Sequence, residues 1–228
     1  MKKVILSVFA VPFIVAPAVM LAQSVASKGA TYITDEEVKT VNALPGVDRT
    51  IRVVDIGPEN FSVGIIHRGK TGVPPAGAAA GAARGAAAGA GAAAGAGRGA
   101  AAAAEPCGEA STAPVTGGTA GTIAHDQQTE GYLIVSGGGT MVTGGKIVNG
   151  RRSPAESEVT KILNGPSCSG TAVGADVVKK LVKVGDIVII PAGVPHGWSE
   201  ILDHVDYLSF RPSARVLEAG YVNPALKK

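Results

Sequence analysis

The chain has 228 residues, two cysteines, 17% charged residues and a formal net charge of +3. Two of those positive charges are Lys2 and Lys3, and no basic patch with interleaved aromatics follows, which excludes nucleic-acid binding as a reading. The 46% hydrophobic share is inflated by a long Ala/Gly tract and does not certify a large core.

Residues 1–26, "MKKVILSVFAVPFIVAPAVMLAQSVA", open with two lysines, continue in an apolar run and end in small residues. That order is a secretory signal peptide. The run is just long enough to span a bilayer, but Pro12 and Pro17 and the small-residue end favour cleavage. The expectation is an exported protein, periplasmic or secreted, with no membrane attachment after cleavage. Residues 27–75 form an N-terminal helix and strands. Thr34 stands three residues before Glu37, a capping-box pattern, and Pro45-Gly46 closes the segment, so a helix is expected over Asp35–Leu44. "RTIRVVDIG" and "NFSVGIIHRG" are short and β-branched and flank Gly57-Pro58, which predicts a hairpin. From Ala76 to Ala104 every residue is Ala or Gly except Arg84 and Arg98. No side chain there can build a core, so 76–104 is read as a disordered insert tolerated at the surface.

Residues 105–228 are strand-rich. "TIAHDQQTEGYLIVSGG" and "GTMVTGGKIV" read as strands joined at Gly137-Gly138-Gly139, and "SEVTKIL", "DVVKKLVKV", "DIVIIPAG", "PHGWSEIL" and "VDYLSFRP" follow. Gly144-Gly145 and Asn149-Gly150 read as hairpin turns. Nine or ten short strands with Gly/Pro/Asn punctuation predict an all-β antiparallel sandwich or barrel. Cys107 and Cys168 lie in small-residue loops. An exported chain permits a disulfide between them, and two free thiols fit the sequence equally well. The glycine runs precede no helix, so a phosphate loop is not expected, and no Ser-His-Asp order stands out.

Two spacings carry chemistry. Gly185, Pro191, Gly193 and His196 read G-x5-P-x-G-x2-H, and His125, Glu130 and Gly137 read H-x4-E-x6-G. Together they resemble the paired signatures of the cupin superfamily over about Gly117 to Arg211, the second motif closely and the first in degraded form. The resemblance implies a cupin-type jelly-roll β-barrel at 105–228, with the helix and strands of 27–75 packing on it, and edge strands that pair two copies into a homodimer. It also implies one divalent metal held by three histidines and a glutamate. His125, Glu130 and His196 occupy three of those positions and Ile123 the fourth, which cannot ligate. Gln127 reaches a ligand position only if the alignment slips, and Glu200 stands where the family's closing asparagine often sits.

Strand alternation gives an independent reading of the same residues. Glu130 shares a face with Tyr132 and Ile134, and His196 shares one with Trp198 and Glu200. If the ligands point inward, these four residues line a small-molecule site. Two imidazoles and a carboxylate suit Fe(II), Mn(II), Ni(II) or Zn(II) with open positions for substrate. His67 is the one histidine outside the motifs that a neighbouring strand could bring in as a replacement nitrogen, while His204 reads as a surface residue. Two functions follow: a metal-dependent oxygenase or isomerase, or a non-catalytic domain that binds a small, sugar-like ligand.

Overall fold

The computed structural model describes residues 29–73 and 104–227. The leader at 1–26 and all but the last residue of the insert at 76–104 lie outside them. Among the described residues no helix is long and apolar enough to cross a membrane.

Helix α1 spans Asp35–Asn42 and begins as its sequence dictates. Thr34 Oγ1 accepts from the Glu37 amide at 3.3 Å while Glu37 Oε2 accepts from the Thr34 amide at 3.2 Å, so two otherwise orphaned donors are satisfied. Strands β1 (Asp48–Asp55) and β2 (Asn60–Gly69) form the expected hairpin around Gly57-Pro58. Then come β3 (Pro106–Cys107), β4 (Thr119–His125), β5 (Glu130–Thr143), β6 (Lys146–Arg152) and β7 (Ser167–Val173). The chain ends through β8 (Val178–Lys183), β9 (Ile187–Ile190), β10 (His196–Glu200), β11 (His204–Ser213) and a 3₁₀ turn at Pro224–Leu226.

All ladders among these 11 strands are antiparallel, in the order β1-β2-β11-β5-β10-β4-β7-β6-β3, with β8 and β9 flanking β5. The path stays open, so the described residues form the expected all-β antiparallel sheet, not closed into a barrel. One end is blocked by the chain itself. Val53 donates to Tyr221, and Gly220 and Asn223 donate to Val53 and Ile51, so the outer edge of β1 is taken by the C-terminal segment. At the other end β3 has only two residues.

Strand β5 organises the molecule. Its first half pairs with β11 and β9, and its second half with β10 and β8. Gly137-Gly138-Gly139, expected to be a turn between two strands, lies inside this one strand as a bend. Gly137 has φ +62°, and a Cβ there would sit 2.0 Å from the His204 carbonyl oxygen. A Cβ on Gly138 or Gly139 would sit 2.6 Å from the Val182 or Glu200 carbonyl oxygen. The glycines let three backbones approach at the bend. Gly144-Gly145, expected as a hairpin turn, instead links β5 to a strand it does not pair with: β5 lies against β8, β9, β10 and β11, and β6 against β3 and β7.

Two further expectations are corrected, a strand and a hairpin turn. "SEVTKIL" forms a π-helical turn over Val159–Leu163, tied at its start by Ser157 and Thr160 to the Pro154 carbonyl. Asn149-Gly150 is a bulge inside β6, with Asn149 at φ 52°, and the register against β7 shifts between Val148 and Arg151. Cys107 and Cys168 are disulfide-bonded across 61 residues of chain. The bridge passes over Gly150, where a Cβ would meet Cys168 Sγ at 2.7 Å.

Two apolar cores flank the sheet. Ile66, Tyr132, Ile134, Met141, Val182, Ile190, Val205 and Tyr207 fill the interior. Val41, Ile51 and Ile65 pack under α1 and the C-terminal turn on the other face. Neighbours Ile65 and Ile66 are both buried because successive strand residues point to opposite faces and each face has its own core.

Candidate metal centre

His125 closes β4, Glu130 opens β5 after a four-residue connection, and His196 opens β10. His196 pairs with Ile123 of β4 on one side and Thr143 of β5 on the other. Glu130 and Thr143 would lie roughly 40 Å apart on a straight strand. Yet Glu130 Oε2 lies 3.0 Å from His196 Nε2 and 3.4 Å from His125 Nε2. The glycine bend has folded β5 back, so that its two ends face each other and the three side chains meet between them. All three are buried, and their ligand atoms lie within 4.8 Å of one another, so the group can hold a metal ion.

The approach to His196 is fixed as its sequence suggests. Pro191 and Pro195 restrict the path, and Gly193 turns with φ +81°. The Gly193 amide donates to the His125 carbonyl at 2.7 Å, tying the loop that carries one imidazole to the backbone of the other. His196 Nδ1 lies 3.0 Å from the Val194 carbonyl oxygen, which can only accept. The ring proton therefore sits on Nδ1, and Nε2 presents a lone pair to the cavity, where it has no hydrogen-bond partner. That lone pair faces a carboxylate oxygen at 3.0 Å. Two electron-rich atoms at that distance repel each other unless a proton or a cation lies between them, and this donor arrangement fits a metal.

Glu130 is held from several sides. Arg211, fully buried on β11, donates through Nε to Glu130 Oε1, while the Tyr132 hydroxyl donates to Oε2. Arg211 is itself held by Asp48 Oδ2 at 2.6 Å and by the Leu163 carbonyl at 3.2 Å. Burial pushes the Glu130 carboxyl up, but the Arg211 guanidinium beside it outweighs this and holds it well below the usual carboxylate range. Burial and the Glu130 charge push the Tyr132 phenol well above its ordinary value, so it stays a neutral donor. With Oε1 on Arg211, Oε2 is the oxygen left for a cation.

Around these groups lies a small cavity of about 30 Å³. Tyr132 and Trp198, both expected at the site, line it, and so does Ile123 at the fourth ligand position of the motif. Ile134 is buried in the core beside it and is not part of the lining. Glu200, expected on the His196 face, is exposed, because the register shift between Trp198 and Glu200 breaks the two-residue alternation. Gln127 is exposed on the β4–β5 connection. His67 pairs with Asp206 at 2.6 Å on the outer face, so it is not the replacement nitrogen. A Ser-His-Asp chain that the sequence did not suggest is present there too: Ser136 Oγ lies 2.8 Å from His204 Nε2, and His204 Nδ1 2.7 Å from Asp203. The Asp203 side chain is 90% exposed, unlike the buried carboxylate that such a relay needs.

Sequence reasoning missed Arg211, Asp48 and Arg68, all of which border the cavity. The available signal was strand alternation, since Arg211 falls on the inward face of β11 with Tyr207 and Ser209.

No family model matches the chain, and no curated protein does. Among solved structures, the crystal structure of Peruvianin-I, a cysteine peptidase from Thevetia peruviana latex, aligns over 81% of this chain and 77% of its own. It does so at 10% identity and a TM-score of 0.31, and nothing about fold or activity is carried across at that likeness.

Proposed function

We propose that this chain is an exported protein of the cupin type that binds one divalent transition metal (Fe, Mn, Ni or Zn) through His125, Glu130 and His196 and takes a small molecule beside it. The observation that carries this is the unpartnered His196 Nε2 facing the ionised Glu130 carboxylate at 3.0 Å. The jelly-roll part of the proposal is supported by β5, which serves both halves of the sheet and brings the two motif segments together. Export is supported by the leader composition and by a disulfide of the kind that persists in oxidising compartments.

When bound, the metal supplies Lewis-acid or redox chemistry to a ligand at its open positions, as an oxygenase or isomerase uses it. The protein's own groups have separable tasks. Arg211 keeps Glu130 ionised and aimed, Val194 sets the His196 tautomer, and Tyr132 supplies a hydroxyl proton donor beside the carboxylate. The non-catalytic binding reading is favoured by one feature, Ile123 in place of a fourth ligand on the cavity wall. Pairing of two copies belongs to the same proposal and is supported by exposed Leu181, Ile187 and Ile189 on β8 and β9.

Metal analysis of the purified protein is the test. Wild type is expected to retain about one transition-metal ion per chain after exhaustive dialysis, and His196→Ala and Glu130→Gln to retain none. A wild-type protein free of metal after incubation with each of the four ions, or a His196→Ala variant with unchanged content, sinks the proposal.

A further inference from the structure

The outer face of the sheet carries two more histidines, His67 on β2 and His204 at the start of β11. Strand register brings them together. Asp206 lies opposite His67 across the β2–β11 ladder, and His204 stands two residues before Asp206 on the same face. The two rings are near parallel, 24° between planes, with centroids 6.2 Å apart. The His125 and His196 centroids stand at 5.2 Å, so an approach of about 1 Å would give the outer pair the spacing of the inner one. The side chains are 47% and 34% exposed, which leaves them room for that adjustment. Each imidazole is also backed by a carboxylate. His67 Nδ1 lies 2.6 Å from Asp206 Oδ1, and His204 Nδ1 lies 2.7 Å from Asp203 Oδ2. A carboxylate oxygen accepts, so in the neutral rings the proton sits on Nδ1 and Nε2 keeps its lone pair. The His67 Nε2 lone pair has no partner among the described residues. That of His204 accepts from the Ser136 hydroxyl at 2.8 Å, a bond the hydroxyl can leave by rotating. A carboxylate on one ring nitrogen and a lone pair on the other is how metal-ligating histidines are held.

We infer that His67 and His204 form a second metal site, a solvent-open clamp of two nitrogens for a divalent transition ion, with water in the remaining positions. Imidazole suits zinc, nickel and copper, and a site with little imposed geometry follows the general affinity order, which peaks at Cu(II). Asp206 and Asp203 fix the tautomers and make the ligating nitrogens more basic. Because the site is open to water and has only two protein ligands, it releases its ion on exhaustive dialysis, unlike the buried centre. It shares no residue with His125, Glu130 and His196, and it stands whether or not that centre binds a metal.

The His196→Ala protein, in which the inner centre is disabled, is titrated with Cu(II) against glycine as a competing chelator. Bound copper is counted at equilibrium and its electron paramagnetic resonance spectrum recorded. About one copper per chain is expected, with splitting from a pair of imidazole nitrogens. Adding His67→Ala or His204→Ala is expected to weaken binding about tenfold or more and to remove one nitrogen from the splitting. Both positions are exposed, so these changes should leave the thermal melt in place. No copper bound by His196→Ala overturns the inference, as does copper whose affinity and splitting are unchanged by His67→Ala and by His204→Ala. If His196→Ala does not fold, the two outer variants are compared in the otherwise wild-type chain. There, loss of the same ion from both supports the site, and copper binding equal to wild type overturns it.

Discussion

Arg211 is the residue on which the candidate centre turns, although no motif contains it. Its guanidinium is buried between Glu130 and Asp48, and a buried pair that loses one partner leaves the other charge stranded. Arg211→Met is therefore expected to destabilise the metal-free protein by about 3–5 kcal/mol in urea denaturation. Glu130 adds a pH dependence of definite sign. Its folded-state carboxyl is held below the ordinary value of 4.5, so the unfolded chain takes up the proton first. The stability it contributes is fully present above 4.5 and is lost as pH falls below it toward the depressed value. Urea midpoints measured with chelator should fall more steeply on acidification in wild type than in Glu130→Gln. At this scale, His125, Glu130 and His196 were legible because motif spacing fixes them along the chain. Arg211 was not, because it reaches Glu130 from 81 residues away through sheet pairing that no local pattern encodes. Glu200 was misplaced because alternation holds only while the ladder is regular, and a bulge follows Trp198.

Among the elements, β5 tests whether the glycine trio is a bend or merely a tolerated stretch. Gly137→Ala places a methyl group against the His204 carbonyl at an unfavourable φ, and a loss of more than about 1 kcal/mol is expected. Gly69→Ala, at a β2 position with nothing within 4 Å, should change stability by less than about 0.5 kcal/mol. Thermal melts of the two variants make the comparison, and equal melting points would contradict the close approach at the bend. The helix and the first hairpin were readable because their caps and turns are local. The glycine trio, Asn149-Gly150 and Val159–Leu163 were not. Glycine marks a bend, a bulge and a turn alike, and a five-residue β-branched run is too short for its period to distinguish helix from strand.

For the molecule as a whole, the all-β antiparallel class followed from strand number and punctuation. The open path did not, since the C-terminal segment that covers β1 carries no strand pattern. The disulfide joins β3 to β7 and encloses β4, β5 and β6, hence two of the three candidate ligands. Closing a loop of 61 residues restricts the unfolded chain by about 4 kcal/mol. Reduction should lower the unfolding free energy by that order. A reductant-insensitive transition in denaturant would show that the bridge constrains little.

The folded-back β5 has one more consequence. Its first residue supplies a candidate ligand, and its last lies beside the strand that brings another. An ion held there would act as a clasp on a bent ribbon, joining the two tips while the glycine elbow stays as it is. Occupancy would then be a mechanical matter as well as a chemical one. The empty protein would be free to gape at the rim, the loaded one would be a closed loop, and the energy of coordination would be felt along all 14 residues of the strand.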